Sequence, residues 1–507
     1  MSNLPESIKR VIEINPVLES FIRGLPDLGS RVDGKPFSPE VKKIHDAFGI
    51  YGNGLYDLLE FSNKDMPTKS LGGGSPMKTP PFPPSQKKLI ETITGEDLSE
   101  YPMAAGDENS KTEILEYLIK EGFKSNEEIN EDNLIFTIST TQAFSIISQI
   151  IGRPYDVVLM TGPNYGLFTF VPERANNMSV EILSLSEEDD WYVNPTKLEN
   201  RIKEINKDLE QKYKGKLPYT PKVVAFLNEN PHNPLGKVMN LKNKEILEGI
   251  GNVCLQNGVF VIDDLIYRDL TFDRNNLALP MGTYKEYFDN TISLMGLSKG
   301  YGLAGIRAGM VVANPVIIRG IRNYIFQNMD SSPILQAKAL AGAFNASKER
   351  EEEYNKYFNP IIEEYKYRLY LLKAMVNGLD SIEDLNIRRK IEFNVHESLY
   401  SDYSLRNTLD GIPGVDFANG TIPEAGFFAL LDFTALKNKT SNKRQITDEI
   451  ELLKYMYETE KIKLILGQSI SYPNPNQLIG RVTTALERED LINHMGAMNK
   501  ALRKLKW

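Results

Sequence analysis

One cysteine, Cys254, stands among 507 residues, and its solitude excludes both an intrachain disulfide framework and a cysteine-built zinc site. A reducing compartment is the usual setting for such a chain. Histidine is nearly as scarce: His45, His232, His396 and His494 lie far apart without metal-ligand spacing, so no metal site is expected. Positive charge is in deficit, with 59 Lys and Arg against 68 Asp and Glu and a formal net charge of −9. That sign argues against nucleic acid as the main partner and favours small molecules. No apolar run approaches the roughly 18 residues that span a membrane. The opening "MSNLPESIKRVIEINPVLES" has no apolar signal-peptide region, so a soluble, cytoplasmic protein is expected.

What is present suits a large folded chain: 41% hydrophobic and 25% charged residues over this length predict two or three domains. The first sixty or so residues read as amphipathic helices, "ESIKRVIEI" and "PEVKKIHDAFGIYGNGLYDLLEF", with acids and bases nearly balanced, unlike a DNA-binding winged helix. The crossing "SLGGGSPMKTPPFPPS" reads as loop, and no Gly-Lys-Ser/Thr follows its glycines to make a phosphate loop. Seven apolar, β-rich runs follow: "NLIFTIS", "DVVLMTGP", "SVEILSL", "KVVAFLNEN", "VFVIDD", "ISLMGLS" and "AGMVVAN". Near-continuous apolar runs of this kind predict a mostly parallel sheet covered on both faces. The charged "TKLENRIKEINKDLEQKYKGK" reads as a solvated helix, and "ASKEREEEYNKYFNPIIEEYKYRLYLLKAMVNGL" as a long helix leaving one domain for the next. "GFFALLDF", "KLILGQS" and a helical C-terminus predict a smaller α+β domain.

In an open parallel sheet, ligands sit beyond the carboxyl ends of the strands. Those positions are polar here. Ser139, Thr140, Thr141 and Gln142 follow the first run, where hydroxyls and amides at a helix N-terminus suit a phosphate as well as an ordinary cap. Asn164-Tyr165 follows the second and could place a ring over a planar ligand. "NENPHNPLG" follows the fourth, with Asn233 as an amide donor. "DDLIY" places Asp264 and Tyr267 three residues apart, a carboxylate able to keep a heterocyclic nitrogen protonated and a phenol able to donate beside it.

"SLMGLSKGYGLAGIRAGMVVANP" admits two readings. From Gly300 it fits the G-x-G-x-x-G of a dinucleotide turn; from Gly296 it sets Lys299 between Ser298 and Gly300, with Arg307 eight residues on. A dinucleotide turn opens a helix and is followed about 20 residues later by an acid at a strand end. Here a second β-rich run follows, and Asp330 lies too far on. The lysine reading stands: an amine able to form a Schiff base, with an arginine fork suited to a phosphate.

"GLSKGYGLAGIRAG", preceded in order by "TGPNY", "NPHNPLG" and "DDLIY" and followed by "GRVTTA", resembles the class I/II aminotransferases, the fold-type I enzymes that use pyridoxal 5'-phosphate (PLP). The resemblance implies an α/β fold: a large PLP-binding domain over 95–375 with a mostly parallel central sheet, and a smaller α+β domain built from 1–94, which includes an N-terminal extension, and 376–507. It also implies a homodimer with shared active sites, and amino-acid and 2-oxo-acid substrates. Position by position, Lys299 resembles the lysine that holds PLP as an internal aldimine, Asp264 the acid at the pyridine nitrogen, and Tyr267 and Asn233 the donors to the ring oxygen. Tyr165 resembles the stacking ring, and Thr140, Thr141, Ser298 and Arg307 the phosphate contacts. Tyr101 resembles the tyrosine that reaches across to the partner's phosphate. Arg481 matches the arginine for the substrate α-carboxylate, with Asn233 and Gly74 also assigned to the substrate. Gly296 stands where many relatives carry a phosphate-binding serine, and Gln327 where dicarboxylate-specific relatives carry an arginine. The implied reaction is amino-group transfer; lyases and decarboxylases share the scaffold and are the alternative.

Overall fold

In a computed structural model, the structure describes residues 4–14, 69–125, 128–399, 407–418, 420, 422–441 and 444–506. The expected helix over "PEVKKIHDAFGIYGNGLYDLLEF" lies outside them. The one over "ESIKRVIEI" is α1 (Glu6–Ile14).

Each of the seven apolar runs forms a strand: β2 (Leu134–Thr137), β3 (Val157–Gly162), β4 (Ser179–Ser184), β5 (Val223–Glu229), β6 (Phe260–Asp264), β7 (Thr291–Gly296) and β8 (Gly309–Ala313), after a short β1 (Lys69–Ser70). They make one seven-stranded sheet in the order β2-β8-β7-β6-β5-β3-β4. From β7 to β4 every pairing is parallel. β8 runs antiparallel to both β2 and β7, because the loop 297–308 turns straight back beside β7 rather than crossing over through a helix.

The runs read as continuous rather than alternating because helices cover both faces. On one face Ile8, Val11 and Ile12 of α1 join Phe144 and Ile147 of α4 (Ser139–Ile151) and Ile317 and Ile321 of α7 (Pro315–Met329). On the other, Leu198, Ile202 and Ile205 of α5 (Pro195–Tyr213) and Leu247 and Ile250 of α6 (Lys244–Gln256) pack on Phe226 and Val261. The 19-residue α5 is the charged stretch of the sequence, its core contact reduced to that one stripe.

The two ends of the crossing enter elements: Ser70 closes β1 and Pro83 opens α2 (Pro83–Thr94). Beyond α2 lie α3 (Glu108–Lys120) and, later, α8 (Ile334–Ala343). The long helix expected after "SSPIL" is α9 (Lys348–Asn377), 30 residues, capped where the Ser347 side chain accepts the backbone N–H of Arg350. Its Phe358 and Ile362 pack in the core beside the large sheet, while Leu371 and Met375 pack in a separate core. That second core covers a four-stranded antiparallel sheet, in the order β12-β13-β10-β9, built from β9 (Asp416–Phe417), β10 (Phe428–Asp432), β12 (Ile465–Leu466) and β13 (Ile479–Thr483). "KLILGQS" is not one strand. It divides into β11 (Ile462–Lys463), which pairs with β1, and β12, which joins β13. Among the described residues no helix is long and apolar enough to cross a membrane.

Candidate active site

β3, β5, β6 and β7 run parallel, so Gly162, Glu229, Asp264 and Gly296 end on one edge of the sheet. Asp264 is the last residue of β6, in register with Glu229 on β5 and Leu294 on β7. Its carboxyl is buried and accepts the backbone N–H of Ile266 at 3.1 Å. Burial pushes it up to about 7, with Asp263 adding to the rise and Lys299 opposing it. The strand beside it holds a second acid: Glu229 is 5% exposed, and burial, then Asp264, raise its carboxyl well above the usual range.

Lys299 follows β7 in the return loop to β8. Burial and Arg481 lower its amine to about 8, with Asp264 resisting and Arg307 adding. Its Nζ donates to the carbonyl of Gly74 at 2.7 Å and lies 5.7 Å from the centre of the Tyr267 ring. Arg481 arrives from the small sheet, on β13 opposite Leu430. Its Nη2 donates to the carbonyl of Gly72 at 3.1 Å, and its guanidinium sits 4.1 Å from the centre of the Phe428 ring. The glycine-rich crossing therefore occupies both cations with backbone oxygens, and Gly74 reaches the site through its carbonyl.

Tyr267 is buried edge-on against Phe427, at 5.7 Å, and Phe428, at 6.3 Å. Asn233 is buried too, and its Oδ1 has no hydrogen-bond partner among the described residues. Tyr165 is half-buried against Phe168, and burial raises its phenol while Arg481 opposes the rise. Its loop is pinned by the segment between β12 and β13: Asn164 N–H donates to Ile470 O at 2.8 Å, and a Cβ on Gly166 would lie 2.1 Å from Ser469 O. Only glycine allows that approach.

Thr140 and Thr141 lie in the first turn of α4, which has no side-chain cap. This leaves backbone N–H groups for an anion. The turn packs on β8 so tightly that a Cβ on Gly309 would lie 2.7 Å from Thr140 N. Gly296 explains itself in the same way. A Cβ there would sit 2.8 Å from Ala308 O and 3.4 Å from Thr140 Cγ2, so the packing leaves no place for a serine. Ser298 is half-buried. Arg307 is exposed, held in the left-handed region at φ +58° with Nη1 on Ala304 O at 3.0 Å.

Two residues stand apart. Tyr101 is 88% exposed on the segment before α3, and Gln327 is exposed on α7. Conversely, Glu229, Gly72, Phe427 and Phe428 adjoin the site without having been singled out in the sequence. An acid as the last residue of a buried strand was a usable signal for Glu229; a backbone carbonyl and a core phenylalanine carry none.

The family model for aminotransferase class I and II matches residues 76–387. Human kynurenine–oxoglutarate transaminase 3 is 23% identical over 353 residues, 67% of this chain and 71% of that protein. A probable aspartate/prephenate aminotransferase of Aquifex aeolicus is 21% identical over 447 residues, 88% of this chain and 94% of that one. The solved structure of Thermus thermophilus aspartate aminotransferase with maleate superposes with a TM-score of 0.64 at 16% identity, covering 92% of this chain and 97% of that one. It shares the fold. With the lysine signature, the sheet order and the family match in agreement, the chain belongs to the class I and II aminotransferases and is an enzyme of that type.

Proposed function

We propose that the protein is a PLP-dependent aminotransferase that moves an amino group from an α-amino acid to a 2-oxo acid, acting as a cytoplasmic homodimer with shared active sites. The observation that carries this reading is the meeting of Lys299, Asp264 and Arg481, from three separate elements, around an amine held near 8 by burial and by Arg481. The residues fit the cofactor: the uncapped first turn of α4 suits a phosphate, and the amine of Lys299 stands among a buried acid and two arginines. Thr140, Thr141, Ser298 and Arg307 would hold that phosphate, joined by Tyr101 of the partner subunit. Tyr165 would cover the ring, with Asn233 and Tyr267 at its oxygen and Asp264 at its nitrogen.

Bound there, PLP supplies an electron sink for negative charge at the substrate's Cα. Asp264, already near 7 through burial, keeps a proton at the ring nitrogen. Arg481 offers a planar fork to the α-carboxylate and sets the direction of the Cα–H bond. Lys299, released from the Gly74 carbonyl, would take the proton from Cα onto its Nζ and give it up again as the amino group changes hands, an exchange suited to an amine held near 8. Glu229, its carboxyl raised well above the usual range by burial and then by Asp264, lines the wall beside it.

Titration of the protein with PLP tests the reading. A visible absorption band should grow to one equivalent per chain, and Lys299→Ala should lose it. Amino acid alone should then yield one equivalent of 2-oxo acid per site and stop until 2-oxoglutarate or pyruvate is added. Sustained turnover without an acceptor overturns the transfer reading in favour of a lyase or decarboxylase. A panel of amino acids against both acceptors identifies the donor.

A further inference from the structure

The loop that carries Lys299 is gripped from two sides. On one side lies the crossing: Gly302, at φ +65°, has Pro80 O 2.4 Å from where a Cβ would be, and Phe82 N–H donates to Tyr301 O at 3.0 Å. On the other lies α9, with Phe358 Cε1 3.0 Å from a Cβ on Gly300. Between them Tyr301, 1% exposed, meets the rings of Phe82, Phe344 and Phe358 edge-on at 5.5, 5.4 and 5.1 Å.

One polar group runs through this apolar packing. Asp269, buried two residues beyond Tyr267, accepts the phenolic O–H of Tyr301 on Oδ2 at 2.8 Å and that of Tyr354 on Oδ1. Its own carbonyl accepts Arg274 Nη1 at 2.8 Å, and Arg350 lies 4.2 Å from the centre of the Tyr354 ring. A buried carboxylate held by two phenols is an expensive way to fill a core, since leucine and two phenylalanines would occupy similar space without a charge to desolvate. What the arrangement adds is direction. It ties together the segment after Asp264 and Tyr267, the residue two beyond Lys299, and the N-terminal half of the helix whose other half enters the core behind Arg481.

We propose that Asp269 is a positioning residue for Lys299, clamping the lysine's loop to α9 through the phenols of Tyr301 and Tyr354 so that the amine keeps its place between Asp264 and Arg481. The inference rests on the PLP reading above. The clamp touches neither substrate nor cofactor, and its effect on the chemistry passes through the lysine.

Covalent capture of PLP by the apo-protein and the induced circular dichroism of the resulting visible band test it, alongside thermal unfolding. Tyr301→Phe removes one hydroxyl and leaves the packing. It should slow capture by roughly tenfold, as expected for a displaced reacting group, and weaken the dichroism. Asp269→Leu should do more, and Asp269→Asn, which still accepts one phenol, should recover part of the loss. Wild-type capture and dichroism in Tyr301→Phe, with only the melting temperature changed, overturn the proposal. If Asp269→Leu does not fold, Tyr301→Phe decides alone. A wild-type chain that never captures PLP fails at the earlier step: it overturns the cofactor reading, and this inference with it.

Discussion

Lys111 and Lys299 lie in different regions of the molecule and titrate near the same point, about 8, for the same first reason, burial. Each donates to a backbone carbonyl, Lys111 to Glu131 O at 2.9 Å and Lys299 to Gly74 O at 2.7 Å. They part in their surroundings. Acids oppose the fall at Lys111: Asp132, Glu131 and Glu108 all favour its proton, against Arg322. At Lys299 two arginines, Arg481 and Arg307, press the other way, and Asp264 is the one acid. A depressed lysine therefore reports burial; reactivity depends on what the amine faces. Lys111 faces the carbonyl of Glu131, the first residue of the helical turn Glu131–Asn133, and Lys299 faces a carboxylate, an arginine fork and aromatic rings.

The sharpest break of this comparison is a pair of substitutions. Lys299→Ala should reduce transamination by about a thousandfold or more, the scale of a lost acid–base group. Lys111→Met should leave the rate per folded molecule within about twofold, as expected for a residue outside the site. A hundredfold loss in Lys111→Met would erase the distinction. The same variant tests the titration. Folded Lys111 binds fewer protons than the unfolded chain between about 8 and the ordinary lysine value of 10.5, so its contribution makes stability rise with pH across that window. Denaturant unfolding of Lys111→Met should lack this part of the rise.

Asp264→Asn comes next, with an expected loss of roughly a hundredfold in kcat while PLP remains bound; unchanged kcat would remove Asp264 from the ring nitrogen. Arg481→Lys keeps the charge and loses the fork, and should raise KM for the amino acid by roughly ten- to a hundredfold, the scale of a charge-assisted hydrogen bond. A larger fall in kcat than rise in KM would instead assign Arg481 mainly to the amine's titration. The smallest effect is expected at Gly296→Ser. The new Cβ meets Ala308 O at 2.8 Å, so the variant should lose about 1–3 kcal/mol of stability without gaining affinity for the phosphate. Tighter PLP binding would show that the packing yields.

Much of this was legible in the residues. Strands buried on both faces leave unbroken apolar runs, and six of the seven are of that kind; β4, at the edge of the sheet, is mostly half-buried. The polar residues just past them, Asp264, Asn233 and Thr140 among them, gather because parallel strands end on one edge. Other features had no local signature. The division of "KLILGQS" between two sheets is decided by partners at Ser70 and Arg481, far away in sequence. The carbonyls of Gly72 and Gly74 are common to every residue type. Asp269 reads as a loop acid until Tyr301 and Tyr354 are seen on either side of it.

The crossing that engages Lys299 and Arg481 has a thermodynamic consequence. A molecule that takes the donor now held by either carbonyl does so by exchange, releasing a group the protein already supplies. Measured affinities will therefore be differences between two grips, and a longer or stiffer segment at 72–74 would change them for every ligand together, without touching a residue that contacts one.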